Sequence, residues 1–195
     1  MTKVLIGQVR FVPALALALI LLAGVLTPGY SSLSQHISEL GILPGWPGFA
    51  MRSGAIFAGT SVALFGLGLI VHRPHRMVFT GLAAFVFGAS YASGGVFPMG
   101  DARHGLWGLV IFYLLIPGFF AAEAPAALRS RLVVNVSLFA ALLTLLYMWF
   151  LLSGLEPQEI RGLTARIAVL VIFGWHGFAG YVLNVQQSGQ AGQNP

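Results

Sequence analysis

Apolar residues gather into six long blocks separated by short polar stretches, over residues 11–26, 50–71, 77–97, 105–122, 132–153 and 164–185. Most of these blocks approach the roughly 20 residues a helix needs to cross the hydrocarbon core of a bilayer. The pattern predicts an all-α fold: a polytopic helical membrane bundle of six transmembrane helices with a short outer amphipathic helix. Lys3 and Arg10 precede the first block, a basic start that a signal peptide shares. The block is long for a signal core, and no small-x-small cleavage site follows in Thr27-Pro28-Gly29-Tyr30, so a retained helix is expected. Six spans and their loops use nearly all of the chain, leaving residues 1–185 as one membrane domain. Residues 186–195 are polar, rich in Gly and Gln, and expected to be disordered.

Between the first two blocks lies the longest loop, Thr27 to Gly48. Ser32 and Gln35 have the spacing of a capping box. Leu33, Ile37 and Leu40 follow on one helical face, and Gly41 can supply a left-handed terminating residue. A short amphipathic helix over Leu33–Leu40 is therefore expected, carrying His36, Ser38 and Glu39 on its polar side. Within the third block, Gly81, Ala84, Gly88, Ala92 and Gly95 recur at spacings of three and four and share one face. In lipid, small residues let helix backbones approach closely, which places this helix at the centre of the bundle. Gly174, Gly177 and Gly180 form a shorter version in the last block.

Composition supports the membrane assignment. The 195 residues are 57% hydrophobic and only 8% charged, with mean hydropathy +0.87. Soluble domains carry about a quarter charged residues, so this chain cannot cover a water-facing surface. The formal charge of +5 comes from Lys and Arg at the ends of apolar blocks. They read as topology signals, not as a nucleic-acid surface. Absence of Cys excludes disulfides, thiolate zinc sites and cysteine catalysis.

The Lys/Arg bias of short loops places both termini in the cytoplasm of a plasma-membrane protein. Lys3, Arg10, Arg73, Arg76, Arg129 and Arg131 are then inside. His72 and His75 flank a basic, headgroup-facing turn on that side. Arg52, Arg103, Arg161 and Arg166 fall outside, with Glu39, Asp101, Glu156 and Glu159. Only Glu123 lies near the inner face. Polar chemistry is thus concentrated at the outer end.

At that end, Pro98 closes the third span because it lacks an amide donor. Asp101 and His104 follow at i and i+3. One reading is an Asp at a helix N-terminus with an interfacial His; the other is an acid–imidazole pair facing a polar pocket. His176 lies in the middle of the last span, where an ionisable residue is either a functional group or a packing hydrogen bond, with Tyr113, Thr60 and Ser90 as partners by depth. A zinc site built from His36, Asp101, His104 and His176 is disfavoured, because His176 is buried deep in the span and His104 lies at its mouth. No metal or cofactor is expected.

Two segments resemble a known family. Tyr30-Ser31-Ser32-Leu33-Ser34-Gln35-His36-Ile37-Ser38-Glu39-Leu40-Gly41 resembles its Y-x-x-x-x-x-x-I-S-E-L-G signature. Gly95-Val96-Phe97-Pro98 with Asp101 and His104 resembles its G-x-F-P-x-D segment followed by a His that opens the next helix. The family is the uncharacterised prokaryotic group of six- or seven-span proteins termed domain of unknown function nine-nine-eight. Here the gap between Asp101 and His104 is unusually short. At the level of layout the chain also looks like the eukaryotic Frag1, DRAM and Sfk1 group, which implies a link to membrane lipid organisation.

These observations converge on one expectation and two rivals. The expectation is an outward-facing pocket for a lipid headgroup or small amphiphile, with His36, Ser38, Glu39, Arg52, Asp101, His104 and Arg166 as ligand-binding residues. A guanidinium there could hold a phosphate or carboxylate in bidentate fashion. The first rival is a lipid-modifying hydrolase using Asp101 and His104. The second is a structural or partner-binding membrane protein. Membrane lipids are the expected partners, with no nucleic acid.

Overall fold

A computed structural model describes residues 2–71 and 77–191, with side chains to residue 185. The turn His72–Arg76 and residues 192–195 of the polar tail lie outside the described residues. Among the described residues, eight helical stretches build the bundle: α1 (Thr2–Gly7), α2 (Val12–Leu26), α3 (Trp46–Val71), α4 (Val78–Val96), α5 (the four-residue turn Gly105–Gly108), α6 (Ile116–Glu123), α7 (Arg131–Leu152) and α8 (Arg161–Ala191). Five unbroken runs are long and apolar enough to span a membrane, and a sixth is broken, Gly105–Leu114 meeting Ile116–Glu123 at 41°. The all-α polytopic architecture is as expected from the hydrophobic blocks.

The core is the pairing of α3 with α4, made by the small residues of both. A Cβ on Gly88 would lie 2.4 Å from the Ala63 amide nitrogen and 2.5 Å from the Gly59 carbonyl oxygen. Gly66 and Gly81 meet in the same way a turn or two further along, and Gly95 rests on the Arg52 carbonyl. These are backbone-to-backbone contacts, which only glycine allows. The central role of the third span thus follows from its small-residue face. In α8, Gly180 packs on Ile6, Val9 and Arg10, while Gly174 faces open space.

Three expectations need correction. The first span starts at Thr2, not near residue 11: α1, a 3-10 turn Gln8–Arg10 and α2 form one continuous run. The polar residues that suggested a flank are satisfied within the bundle. Gln8 donates to the Ser61 carbonyl at 2.8 Å and accepts from the Ser61 hydroxyl. The Arg10 guanidinium lies over the Phe11 and Tyr181 rings. At the other end, α8 continues through Gln186 to Ala191, so this part of the polar tail is helical.

The fourth span is the broken one. Its first turn is left-handed, with positive φ at Gly105, Leu106, Trp107 and Gly108. A 3-10 stretch, Leu109–Leu114, follows, and α6 begins anew with Pro117 in its first turn. Pro cannot donate to the preceding turn, and two glycines permit the reversal of hand. Leu106 and Trp107 are strained there, at a cost of order 1–3 kcal/mol each.

Polar side chains close several helix ends. The Glu123 carboxylate accepts from the Phe79 and Thr80 amides at 2.9 and 2.8 Å, placing a negative charge at the N-terminus of α4 where the helix dipole favours it. Arg129 donates to the Ala124 and Ala122 carbonyls at the end of α6. At the chain ends, Gly7 lies beside Asn184. The start of the first span and the end of the last therefore share one end of the bundle. Residues 27–45, 97–104 and 153–160 share the other.

Candidate functional site

The loop after α2 forms a cap over that second end. The expected helix over Leu33–Leu40 is instead a 3-10 helix, Ile37–Ile42, and its capping box lies four residues later than Ser32 and Gln35. His36 is the N-cap. Its Nδ1 accepts from the Ser38 amide at 3.3 Å, and the Glu39 carboxylate accepts from the His36 amide at 2.9 Å. His is not a usual N-cap residue, which is why the spacing pointed to Ser32. Ser32 and its neighbours form a tight turn in which Gln35 Oε1 accepts from the Ser31 amide. Gly41 is not left-handed; it lies flat on the Met51 side chain, and Gly45 supplies the positive φ.

Two arginines from α8 hold the cap. Arg161 donates to the Glu39 carboxylate at 2.8 Å and to the Ser34 carbonyl at 2.9 Å. Arg166 is 8% exposed. It donates to the Gln35 and Gly162 carbonyls and to the Tyr30 hydroxyl. Gly162 is required for this approach, since its Cβ would lie 2.4 Å from the Gln35 carbonyl oxygen. Burial raises the Tyr30 pKa above its ordinary value, and the hydrogen bond from Arg166 opposes that rise.

Beneath the cap lies a cavity of about 250 Å³ enclosed by α3, α4, the 3-10 stretch Leu109–Leu114, α7 and α8. Its rim carries His36, Ser38, Gly94, His104 and Gly105; its floor is Phe87 and Phe173. From Ala165 to Phe173 along α8 it runs about 12 Å deep at 1.5 Å per residue. Tyr91, Tyr113 and Tyr147 stand on its walls. The Tyr113 hydroxyl is buried with no hydrogen-bond partner among the described residues. Unpaired buried polar groups are rare and call for an explanation.

At the rim, the Ser38 hydroxyl meets His36 Nδ1 at 2.7 Å. That nitrogen accepts from the Ser38 amide as well, so the neutral ring carries its proton on Nε2. His104 Nδ1 donates to the Phe97 carbonyl at 2.8 Å, which leaves Nε2 to serve a ligand. The Ser90 hydroxyl donates to the Gly105 carbonyl at 2.6 Å and anchors the left-handed turn behind His104.

Burial lowers the His36 pKa below its ordinary value; Glu39 and Glu156 oppose the shift, and Arg161 and Arg166 add to it. The unfolded chain then takes up a proton near pH 6.5 that the folded chain refuses, so stability falls as the pH drops below about 6.5. Asn caps helices well and does not titrate. In His36→Asn the fall in melting temperature between pH 7 and pH 5.5 is expected to be smaller than in the parent. Equal falls would contradict this.

Of the seven residues singled out in the sequence, three line the cavity: His36, Ser38 and His104. Glu39 and Arg166 belong to the cap's supports. Arg52 is exposed and turns back on its own helix toward the Gly48 carbonyl at 3.4 Å. Asp101 pairs with Arg103 at 2.7 Å on the exterior. That side-chain hydrogen bond, with a second from the Arg103 amide, holds the Asp101 carboxyl down at about 2. Glu39, Arg52, Asp101 and Arg166 therefore do not line this cavity. Asp101 and His104 form no dyad, because each is already engaged elsewhere.

His176 donates from Nδ1 to the Ile172 carbonyl at 2.7 Å and packs among Phe65, Phe87, Phe173 and Trp175 just below the floor. Neither Thr60 nor Ser90 pairs with it. Among the described residues, no three His, Asp or Glu side chains come together as metal ligands would. The tyrosines of the walls had no motif to mark them; hydroxyl-bearing aromatics at membrane depth were the one available signal.

The fold defines a multi-pass α-helical membrane protein. The chain belongs to the family described as "Protein of unknown function (DUF998)", whose model matches residues 11–182. No significant match to the chain is found among curated proteins or solved structures.

Proposed function

We propose that this protein binds a lipid or small amphiphile in the capped cavity. The observation that carries this is the cavity's polarity gradient: imidazoles and a serine at the rim, phenylalanines at the floor. Sites for small molecules are concave and mostly apolar, with a few placed polar groups. An amphiphile matches that gradient, its headgroup under the cap and its chain toward Phe87 and Phe173.

Access from the bilayer would run between α7 and α8. An apolar groove on that outer face, with Leu143, Leu146, Phe150 and Ile167, shares Tyr147 and Ala168 with the cavity wall. Tyr147 would act as the gate between the two. Ala168→Phe fills both sides of this wall. In native mass spectrometry of gently extracted protein, the parent is expected to retain a bound lipid-like mass and the variant to lose it while still unfolding cooperatively on heating. The same adduct on both would contradict the assignment.

The Lys/Arg bias orients the capped end outward from a plasma membrane, with both termini in the cytoplasm. Reporter fusions at Arg73 and at the C-terminus are expected to be active only as cytoplasmic reporters. Periplasmic activity at either would overturn this topology.

A further inference from the structure

Resting on the cavity as the ligand site, we infer that its ligand carries an uncharged, oxygen-bearing headgroup, an alcohol, ester or quinone-like carbonyl, and not a phosphate or carboxylate. Among the described residues, no Lys, Arg, Asp or Glu lines the cavity. The arginines at this end of the bundle lie outside it, and Arg52 is exposed and turned back on the Gly48 carbonyl. Arg161 is held by Glu39 and the Ser34 carbonyl, and Arg166 by two carbonyls and the Tyr30 hydroxyl. Arg103 is held by Asp101 outside the cavity. Recruiting any of them would dismantle the cap or require a guanidinium to cross the rim. An anion placed in an apolar cavity without a counter-charge is strongly disfavoured.

What the cavity does offer is neutral hydrogen bonding. His36 is held toward its neutral form by burial. Ser38 stands beside it on the rim. Deeper, Tyr113 is 5% exposed, and its hydroxyl is buried with no partner among the described residues. A hydroxyl both donates and accepts, so it suits a carbonyl or an alcohol equally. A carbonyl oxygen brought against Tyr113 would satisfy one of the two buried polar atoms without a partner among the described residues, the other being His176 Nε2. The aromatic rings of Phe87, Tyr91 and Phe173 would enclose the adjoining apolar part.

The test uses the full chain in nanodiscs, titrated with monolauroyl glycerol and with dodecyl phosphate, two probes of equal chain length. Binding is read by native mass spectrometry against empty discs. Monolauroyl glycerol is expected to bind saturably, at least about tenfold tighter than dodecyl phosphate. Tyr113→Phe should weaken the neutral probe by about tenfold, the scale of one buried hydrogen bond, with the melting temperature unchanged. Equal or tighter binding of dodecyl phosphate would overturn the uncharged headgroup while leaving the cavity as the ligand site. Unaltered binding in Tyr113→Phe would overturn the role given to that hydroxyl. If neither probe binds beyond empty discs, the ligand site itself fails.

Discussion

Gly88→Leu should prevent the bundle from assembling, whereas Leu82→Ala should be tolerated. At Gly88 even a single added carbon meets the α3 backbone at Ala63 and Gly59 at 2.4–2.9 Å. Backbone of a packed helix cannot rotate aside as a side chain can. The two helices would have to separate along their whole small-residue face, including Gly66, Gly81 and Gly95. Overpacking within a close-packed interior costs about 1–3 kcal/mol where side chains can adjust, and a clash with backbone exceeds that. Leu82, by contrast, is half exposed on the same helix and faces lipid, where truncation exchanges one apolar contact for another. Thermal unfolding in detergent distinguishes the two. Comparable melting temperatures would remove close backbone packing as the basis of the core.

The second large effect is expected from Arg166→Ala. This guanidinium satisfies the Gln35 and Gly162 carbonyls and the Tyr30 hydroxyl together. Its removal leaves those acceptors unmet beneath the cap, at about 1–3 kcal/mol for each that water cannot reach. The cap should then detach from α8 while the α3–α4 core persists. Limited proteolysis within residues 31–42 should accelerate more than tenfold, and the melting temperature should fall. Lys should not rescue, since an ammonium cannot present the planar fork that spans two carbonyls and a hydroxyl. Unchanged proteolysis in Arg166→Ala would show that the cap is held by its apolar contacts alone.

The spans and the central helix were legible because both rest on properties local to the sequence. Apolar block length reports the bilayer, and a glycine face reports close packing. The start of the first span was hidden because Gln8 and Arg10 look like flanking polar residues. Their partners, Ser61 and Tyr181, are distant in sequence, so nothing nearby signals that they are satisfied. The break in the fourth span had its markers in Gly105, Gly108 and Pro117. A continuous apolar block overrode them, since hydropathy does not distinguish a helix from a broken one.

The border of the candidate cavity was legible in the sequence, and its interior was not. The Ile37–Gly41 and Phe97–His104 segments do border the cavity, and His36, Ser38 and His104 line it. Charge, however, is the feature that the sequence puts forward. In the structure the charges are scaffolding: Glu39 and Arg161 close on each other, and Asp101 closes on Arg103. The sequence offers Glu39 two arginines at the same end of α8, Arg161 and Arg166, and gives no means to choose between them. The signature tyrosine, Tyr30, acquires its meaning only once Arg166 is seen to bond it. The wall tyrosines come from three separate helical segments, and no spacing along the chain could assemble them.

The most direct test of the cavity as a ligand site is a density map of the full chain in lipid nanodiscs at a resolution that shows side chains. The expected result is an elongated density in the cavity, its polar end between His36, Ser38 and His104, its apolar end against Phe87 and Phe173, and an oxygen within hydrogen-bond reach of Tyr113. A cavity collapsed on itself, with the Tyr113 and Tyr147 hydroxyls paired to protein groups and no density between them, would contradict it.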